Sequence, residues 1–339
     1  MTYLDDIKNV SLVHLSKEKL KNKNILITGA TGMIGSSLID LLMFHNTENY
    51  TVYAAGRDEQ KAKKLFEKYK DRNDFKFIKC NLFEPIEYDL DFHFIIDCAG
   101  VASPQLYATD PISVIKSNIW AVENLLSYGI KHNLEKFVYV SSGEIYGEGD
   151  GRIFTEDYSG YVNTTDLRSC YPLAKRAAES LCIAYSYQYN IDVSIARPCH
   201  IYGPNFSKSD KRVYAEFIRN VLNDENIIMK SSGEQYRSWC YVVDCVSALL
   251  TILLNGKNKE AYNIADDNSN ITIKELAEIV AKLGNKEVII QQPNEIEKTG
   301  FNKVKKSIFS IDKIKELGWK PKYDIKQGLK DIFNSKKIL

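Results

Sequence analysis

Residues 25–42 read ILITGATGMIGSSLIDLL. A short β-branched, apolar run ends in Gly29, Gly32 and Gly35, and an amphipathic helix follows to about Phe44. Lacking Cβ atoms, the three glycines allow a tight turn, the approach of a pyrophosphate to backbone N–H groups, and close packing of helix on strand. The helix N-terminus favours the anion. With a strand before it and a helix after it, the stretch reads as a dinucleotide cradle, the plainer alternative being a glycine-rich turn with no ligand.

Outward from the cradle, apolar runs at 51–55, 75–79, 93–97, 136–142 and 192–196 alternate with helical patterns such as Ile112, Ile115, Ile119, Val122 and Leu126. This alternation predicts an α/β fold, a Rossmann-type doubly wound parallel sheet whose ligand lies at the carboxyl ends of the strands. After about residue 197 the pattern loosens around RPCHIYGPNFSKSD, with a helix expected over 211–223. AYNIA at 261–265 can return to the main sheet, and Thr272 with Glu275 has the spacing of a capping box. The expected organisation is a polar lead-in over 1–23, a dinucleotide-binding domain over 24–197, and a smaller C-terminal substrate lobe over 198–339.

Lys and Arg total 45 against 44 Asp and Glu, a formal net charge of +1, so no global field draws the chain to nucleic acid or an anionic membrane. The seven cysteines include no CxxC, which points to reduced thiols, and the N-terminus carries no apolar leader. The expectation is a cytoplasmic protein without a metal, acting on a small molecule. At the end of the second strand an acid would bind a ribose 2′-hydroxyl and an arginine would accept a 2′-phosphate. Arg57 stands nearer that tip than Asp58, so of NAD and NADP the sequence favours NADP, unless both residues simply begin a solvated helix.

RSCYPLAKR places Tyr171 and Lys175 four apart on one helix face. An ammonium beneath a phenol lowers its pKa, so the phenolate can take a hydroxyl proton while hydride leaves the carbon. The fifth strand runs into Ser142, able to hydrogen-bond the same substrate oxygen, and Glu144, able to exchange a proton at a neighbouring carbon. Taken singly, these are also an ordinary surface pair, a strand-end hydroxyl and a surface acid.

TGxxGxxG (28–35), the strand-end Ser142 and YxxxK (171–175) together resemble the extended short-chain dehydrogenase/reductase family, the NAD-dependent epimerase/dehydratase group that modifies nucleotide sugars. ASPQLY (102–107), RSCYPLAKR (168–176) and SDKRVYAEFI (209–218) look most like its UDP-glucuronate decarboxylases. The resemblance implies Tyr171 as base, Lys175 as its partner and nicotinamide-ribose ligand, Ser142 as the carbonyl-side hydrogen bond and Glu144 as the proton-handling acid. It implies a cofactor set of Gly29, Thr31, Gly32, Met33, Ile34, Gly35, Arg57, Asp58, Asn81, Leu82 and Ala99, with Asn81 and Leu82 beside the adenine. Arg237 matches an arginine associated with the substrate diphosphate, and Ser103, Tyr107, His200 and Arg212 match substrate contacts.

Two positions depart from the family pattern: relatives often have Asp or Ser where this chain has Gly143, and several kinds have Asn where it has His200. The implied activity is transient oxidation at sugar C4 by a tightly bound, recycled dinucleotide, followed by decarboxylation of a UDP-glucuronate-like substrate. A 4,6-dehydratase and a 4-epimerase share that first step. The reading from another class is a non-catalytic NAD(P) sensor, which has no need of the Tyr, Lys and Ser together. The resemblance also implies a homodimer through helices 111–133 and 171–190, whose Leu125, Leu181, Tyr185 and Tyr189 exceed what one sheet face needs.

Overall fold

The computed structural model describes residues 1–206, 210–292 and 304–335. Ser209, which opens the 209–218 stretch, and the last four residues of the substrate lobe lie outside them. In chain order the strands are β1 (Asn24–Thr28), β2 (Thr51–Gly56), β3 (Phe75–Lys79), β4 (Phe94–Asp97), β5 (Lys136–Val140), β6 (Val193–Pro198), β7 (His200–Tyr202), β8 (Ile227–Met229), β9 (Tyr236–Tyr241), β10 (Glu260–Ile264), β11 (Asp266–Thr272), β12 (Val288–Ile290) and β13 (Lys306–Ser307). The central sheet has seven strands in the order β3-β2-β1-β4-β5-β6-β10. All its neighbours pair in parallel, and AYNIA returns as the edge strand beside β6.

The helices that position the site are α1 (Tyr3–Lys8), α2 (Met33–Phe44), α3 (Glu59–Leu65), α4 (Pro104–Thr109), α5 (Pro111–Lys131), α6 (Cys170–Tyr189), α7 (Val213–Leu222), α8 (Val242–Asn255) and α9 (Ile273–Leu283). Ile25 and Ile27 of β1 point into the core beneath α2 and α8, where Leu38, Leu42 and Val246 meet them. Leu26 points the other way, into the core under α5 and α6 with Leu125, Leu126 and Ala178. Burial on both faces is why the strands read as unbroken apolar runs. β1 lies between β2 and β4, so the chain reverses its winding there and opens a crevice at the carboxyl ends.

Beyond the sheet, β9 collects β7, β11 and β13 into a smaller layer that carries Arg237. The Thr272–Glu275 capping box starts α9 as expected. The lead-in is a brace: Thr2 and Asp5 cap α1, the Tyr3 hydroxyl donates to Asp40 of α2 at 3.1 Å, and Asp6 accepts from the Tyr241 hydroxyl at 3.2 Å.

The apolar surplus expected on α5 and α6 divides between core and surface. Leu125 is wholly buried in the sheet–helix core, Leu181 and Tyr185 pack partly against that core, and the Tyr185 hydroxyl lies 2.8 Å from Ser127 Oγ. Of the four residues assigned to a dimer face only Tyr189 is exposed, because α5 and α6 pack on each other as well as on the sheet.

Candidate active site

The cradle tests whether a dinucleotide fits. Gly29, at φ +59°, takes a left-handed conformation, and a Cβ there would meet the Cys98 carbonyl oxygen at 2.5 Å. A Cβ on Gly35 would meet the Gly29 carbonyl oxygen at 2.4 Å, so these two glycines bring β1, α2 and the end of β4 together. Gly32 is different: it is exposed, and it N-caps α2 without a side-chain hydrogen bond to the first-turn N–H groups. That is the chemistry a pyrophosphate requires.

Thr31, Met33 and Ile34 complete this turn, and Ala99, whose N–H donates to Asp97 Oδ1 at 3.1 Å, forms the loop after β4. Asn81 and Leu82 follow β3; Asn81 donates to Glu84 at 2.8 Å, and the Leu82 carbonyl accepts from Asn124 at 2.8 Å. At the tip of β2 both Arg57 and Asp58 are exposed, but Asp58 is engaged in capping α3 through the Lys61 N–H at 2.9 Å. Arg57 and Lys79 line one open recess there.

Across the crevice, β5 ends at Val140 and delivers Ser142 to a tight turn in which its Oγ accepts from the Glu144 N–H at 3.2 Å. Tyr171 enters from the first turn of α6, only 5 % exposed, stacked on Tyr107 of α4 with ring centroids 5.0 Å apart. Burial pushes the Tyr171 phenol above its ordinary value; a hydrogen bond with Ser142 opposes this, Glu144 adds to it, and Arg212 and Arg168 oppose it.

Lys175 is also buried, and its Nζ donates to the Val140 carbonyl at 2.8 Å and sits 4.6 Å from the centre of the Tyr139 ring. Burial pulls its pKa down to about 8, while Asp97 and Glu179 favour the ammonium. Of the groups that act on the Tyr171 phenol, Ser142 does most to lower it.

Glu144 is half-buried and bound at both oxygens by Arg168, Nη1 to Oε2 and Nη2 to Oε1 at 3.0 Å each. Arg237 is 3 % exposed, and its guanidinium donates to the carbonyls of Tyr236, at 3.3 Å, and Val304. Among the described residues no carboxylate pairs with it; burial lowers its pKa to about 10, with Glu144 favouring the cation and Arg168 opposing it. Arg212 has its own partner, Asp210, at 2.5 Å. His200 lies 3.3 Å from the Ser238 carbonyl and against Trp239, and burial, with Arg237 nearby, drops it to about 4, so it is neutral near pH 7. Ser103 caps α4 without a side-chain bond, and its carbonyl accepts from the Tyr107 N–H at 3.3 Å.

Sequence reasoning missed four residues. Arg168 sits in the quoted RSCYPLAKR, but its pairing with a residue 24 positions away has no local signal. Asp97 and Asn118 face Lys175 from β4 and α5: Asp97 acts on its charge, and a Cβ on Gly100 would meet Asn118 Oδ1 at 3.0 Å and Lys175 Nζ at 3.3 Å. Phe309 explains Gly143, since a Cβ there would meet the Phe309 ring at 2.2 Å. Among the described residues no group of three or more His, Cys, Asp or Glu could hold a metal ion, and no helix is long and apolar enough to cross a membrane.

A glycine cradle facing a Ser–Tyr–Lys group across a parallel-sheet crevice defines a dinucleotide-dependent enzyme of the short-chain dehydrogenase/reductase type. Residues 25–265 match the model of the NAD dependent epimerase/dehydratase family, and the chain belongs to that family. It is 34% identical over 315 residues to UDP-glucuronic acid decarboxylase 6 of Arabidopsis thaliana, covering 93% of this chain and 89% of that one. UDP-glucuronic acid decarboxylase 1 of Danio rerio is 32% identical, over 91% of this chain and 71% of that one. Among solved structures, UDP-glucose 4-epimerase of Thermotoga maritima superposes with a TM-score of 0.78 at 25% identity, covering 92% of this chain and 98% of that one. UDP-glucuronic acid 4-epimerase of Bacillus cereus shares the fold at TM-score 0.79 and 22% identity, over 92% of this chain and 98% of that one.

Proposed function

We propose that the chain is a nucleotide-sugar enzyme that oxidises C4 of its substrate transiently and decarboxylates UDP-glucuronate or a close analogue. The observation that carries this reading is the buried Arg237 guanidinium, which has no carboxylate partner among the described residues, beside the Ser142–Glu144–Tyr171 group. A buried cation bonded only to carbonyls is costly unless an anion joins it, and its fork suits a diphosphate. The similarity to decarboxylases over nine-tenths of the chain supports the choice of substrate.

Residues 29–35, Ala99 and Lys175 would hold the dinucleotide, which would supply the hydride acceptor and donor. Ser142 orients the C4 oxygen and Tyr171 takes its proton, the Lys175 ammonium favouring the phenolate once substrate and cofactor enclose the pair. With C4 a ketone, a C6 carboxylate belongs to a β-keto acid: the C5–C6 bond breaks, its electrons form the C4–C5 enolate, carbon dioxide leaves, and a solvent proton adding at C5 restores the C4 ketone. Tyr171 returns its proton when C4 is reduced.

Two cations at the adjacent ends of β2 and β3, Arg57 and Lys79, and an Asp58 already used as a cap support NADP as the cofactor. Exposed Ile112, Ile115 and Trp120 on α5 and Tyr187 on α6 support a homodimer through these helices, and the composition fits a cytoplasmic protein. Sedimentation equilibrium at micromolar concentration tests the dimer, and a monomer there refutes it.

Mass spectrometry and proton NMR of the protein with UDP-glucuronate, UDP-glucose, dTDP-glucose, CDP-glucose and GDP-mannose, each separately, test the activity. Loss of carbon dioxide from UDP-glucuronate is expected. Loss of water from another sugar makes the protein a dehydratase, a new sugar spin system at constant mass an epimerase, and bound cofactor without turnover a sensor.

A further inference from the structure

Arg168 is fastened on three sides. Its two terminal nitrogens grip the two oxygens of Glu144 at 3.0 Å, its guanidinium lies 5.8 Å from the centre of the Tyr107 ring, and its N–H donates to Asp166 at 3.0 Å. Tyr107 in turn stacks on Tyr171. Glu144, Arg168, Tyr107 and Tyr171 therefore form one contiguous chain of contacts along the wall of the crevice. A two-point guanidinium–carboxylate pair has a fixed geometry and engages the lone pairs with which a carboxylate would take a carbon-bound proton.

We infer that Arg168 is a positioning residue that withholds Glu144 from the C5 proton of the sugar, so that the C6 group departs without C5 deprotonation. The inference deepens the proposed function and rests on it. In a 4-keto sugar two paths are open. In one, a base removes the C5 hydrogen, the C–H electrons form the C4–C5 enolate, and a C6 hydroxyl leaves as water. In the other, the C5–C6 bond breaks, its electrons form the same enolate, carbon dioxide leaves, and one solvent proton adds at C5. A carboxylate clamped at both oxygens disfavours the first path and leaves the second untouched. Glu144 keeps a role in the electrostatics of the site, since it favours the charged form of Arg237.

The test is turnover of UDP-glucuronate in deuterium oxide by the holoenzyme and by its Arg168→Gln, Arg168→Lys and Arg168→Gln/Glu144→Gln variants, with deuterium at C5 counted by NMR and carbon dioxide loss by mass. The wild type should give a pentose with one deuterium at C5 and recovered substrate with none. Arg168→Gln should add a second deuterium to the pentose and label the recovered substrate, Arg168→Lys should restore the wild-type count at least in part, and the double variant should lose the extra label. A purely structural role would lower the rate without changing the count. One deuterium in every active variant, or a labelled substrate already in the wild type, overturns the inference. Failure of the decarboxylase reading appears separately, as no loss of carbon dioxide from the wild type. The deuterium count is then made on whichever of the other four sugars is turned over.

Discussion

Gly143 and Phe309 lie 166 positions apart, yet the structure makes each the condition for the other. A Cβ on Gly143 would stand 2.2 Å from Phe309 Cζ and 2.5 Å from Cε1. Carbon atoms in contact rest at about 3.5–4.0 Å, so the ring would have to retreat by more than about an ångström. It cannot do so freely, because Phe309 is 3 % exposed and packed edge-on against Tyr146, at 5.5 Å, and Phe154, at 5.7 Å. Gly143→Ala should therefore cost about 1–3 kcal/mol, the range for overpacking. Phe309→Ala alone should cost about 3–5 kcal/mol through lost burial and the cavity left behind. In the double variant the new methyl enters the space the ring has left, so the two costs should fall short of their sum by about 1–3 kcal/mol. Urea unfolding followed by the fluorescence of buried Trp239 and Trp319 measures the cycle. Additivity within about 0.5 kcal/mol would refute the reasoning.

Tyr171→Phe should abolish turnover on every nucleotide sugar while the purified protein keeps its dinucleotide, and activity near wild type would end the proposed mechanism. Lys175 is held at about 8, so kcat/KM should fall as pH rises through that value and the ammonium is lost; Asp97→Asn removes a carboxylate that favours the charge and should move the fall to lower pH, whereas an unmoved limb would count against it. Asp6 is raised to about 6 by burial and by Asp331, above its value in the unfolded chain. The stability its proton contributes is therefore full below about pH 4 and lost as pH rises through 6. Asp6→Asn should accordingly unfold at higher temperature than wild type at pH 8 and show a smaller difference at pH 5, and the opposite trend would refute the assignment.

What the sequence made legible was local. Strand, glycine turn and helix at 24–44 are neighbours in the chain, so their order alone predicts the cradle, and alternating apolar runs predict the parallel sheet around it. Tyr171 and Lys175 share a face of α6 because 3.6 residues make a turn. Illegible were the contacts that depend on two distant segments meeting. Nothing near Gly143 announces a phenylalanine, and nothing near Glu144 announces that Arg168 will occupy both its oxygens. Periodicity also could not divide the apolar surplus of α5 and α6 between core and surface: Leu125 went to the core while Ile112 and Trp120 stayed out.

The same distinction explains where the fold tolerates unmet polar groups. Asp97 Oδ2, Asn118 Oδ1 and Tyr139 Oη are buried without a hydrogen-bond partner among the described residues. Each such atom costs about 1–3 kcal/mol, so three near one lysine are not a neutral accident of packing. Asp97 acts electrostatically on both Lys175 and Tyr139, the Lys175 ammonium lies over the Tyr139 ring, and Asn118 Oδ1 faces Gly100 beside Lys175 Nζ. A core selected for stability alone would fill these positions with apolar side chains. Keeping a carboxylate, an amide and a phenol there bears on the charge and placement of Lys175. The unmet polar atoms at this end of the crevice and the clamp on Glu144 are two parts of the proposed arrangement. In the proposed mechanism one favours the Lys175 ammonium beside Tyr171, and the other keeps a second base away from C5.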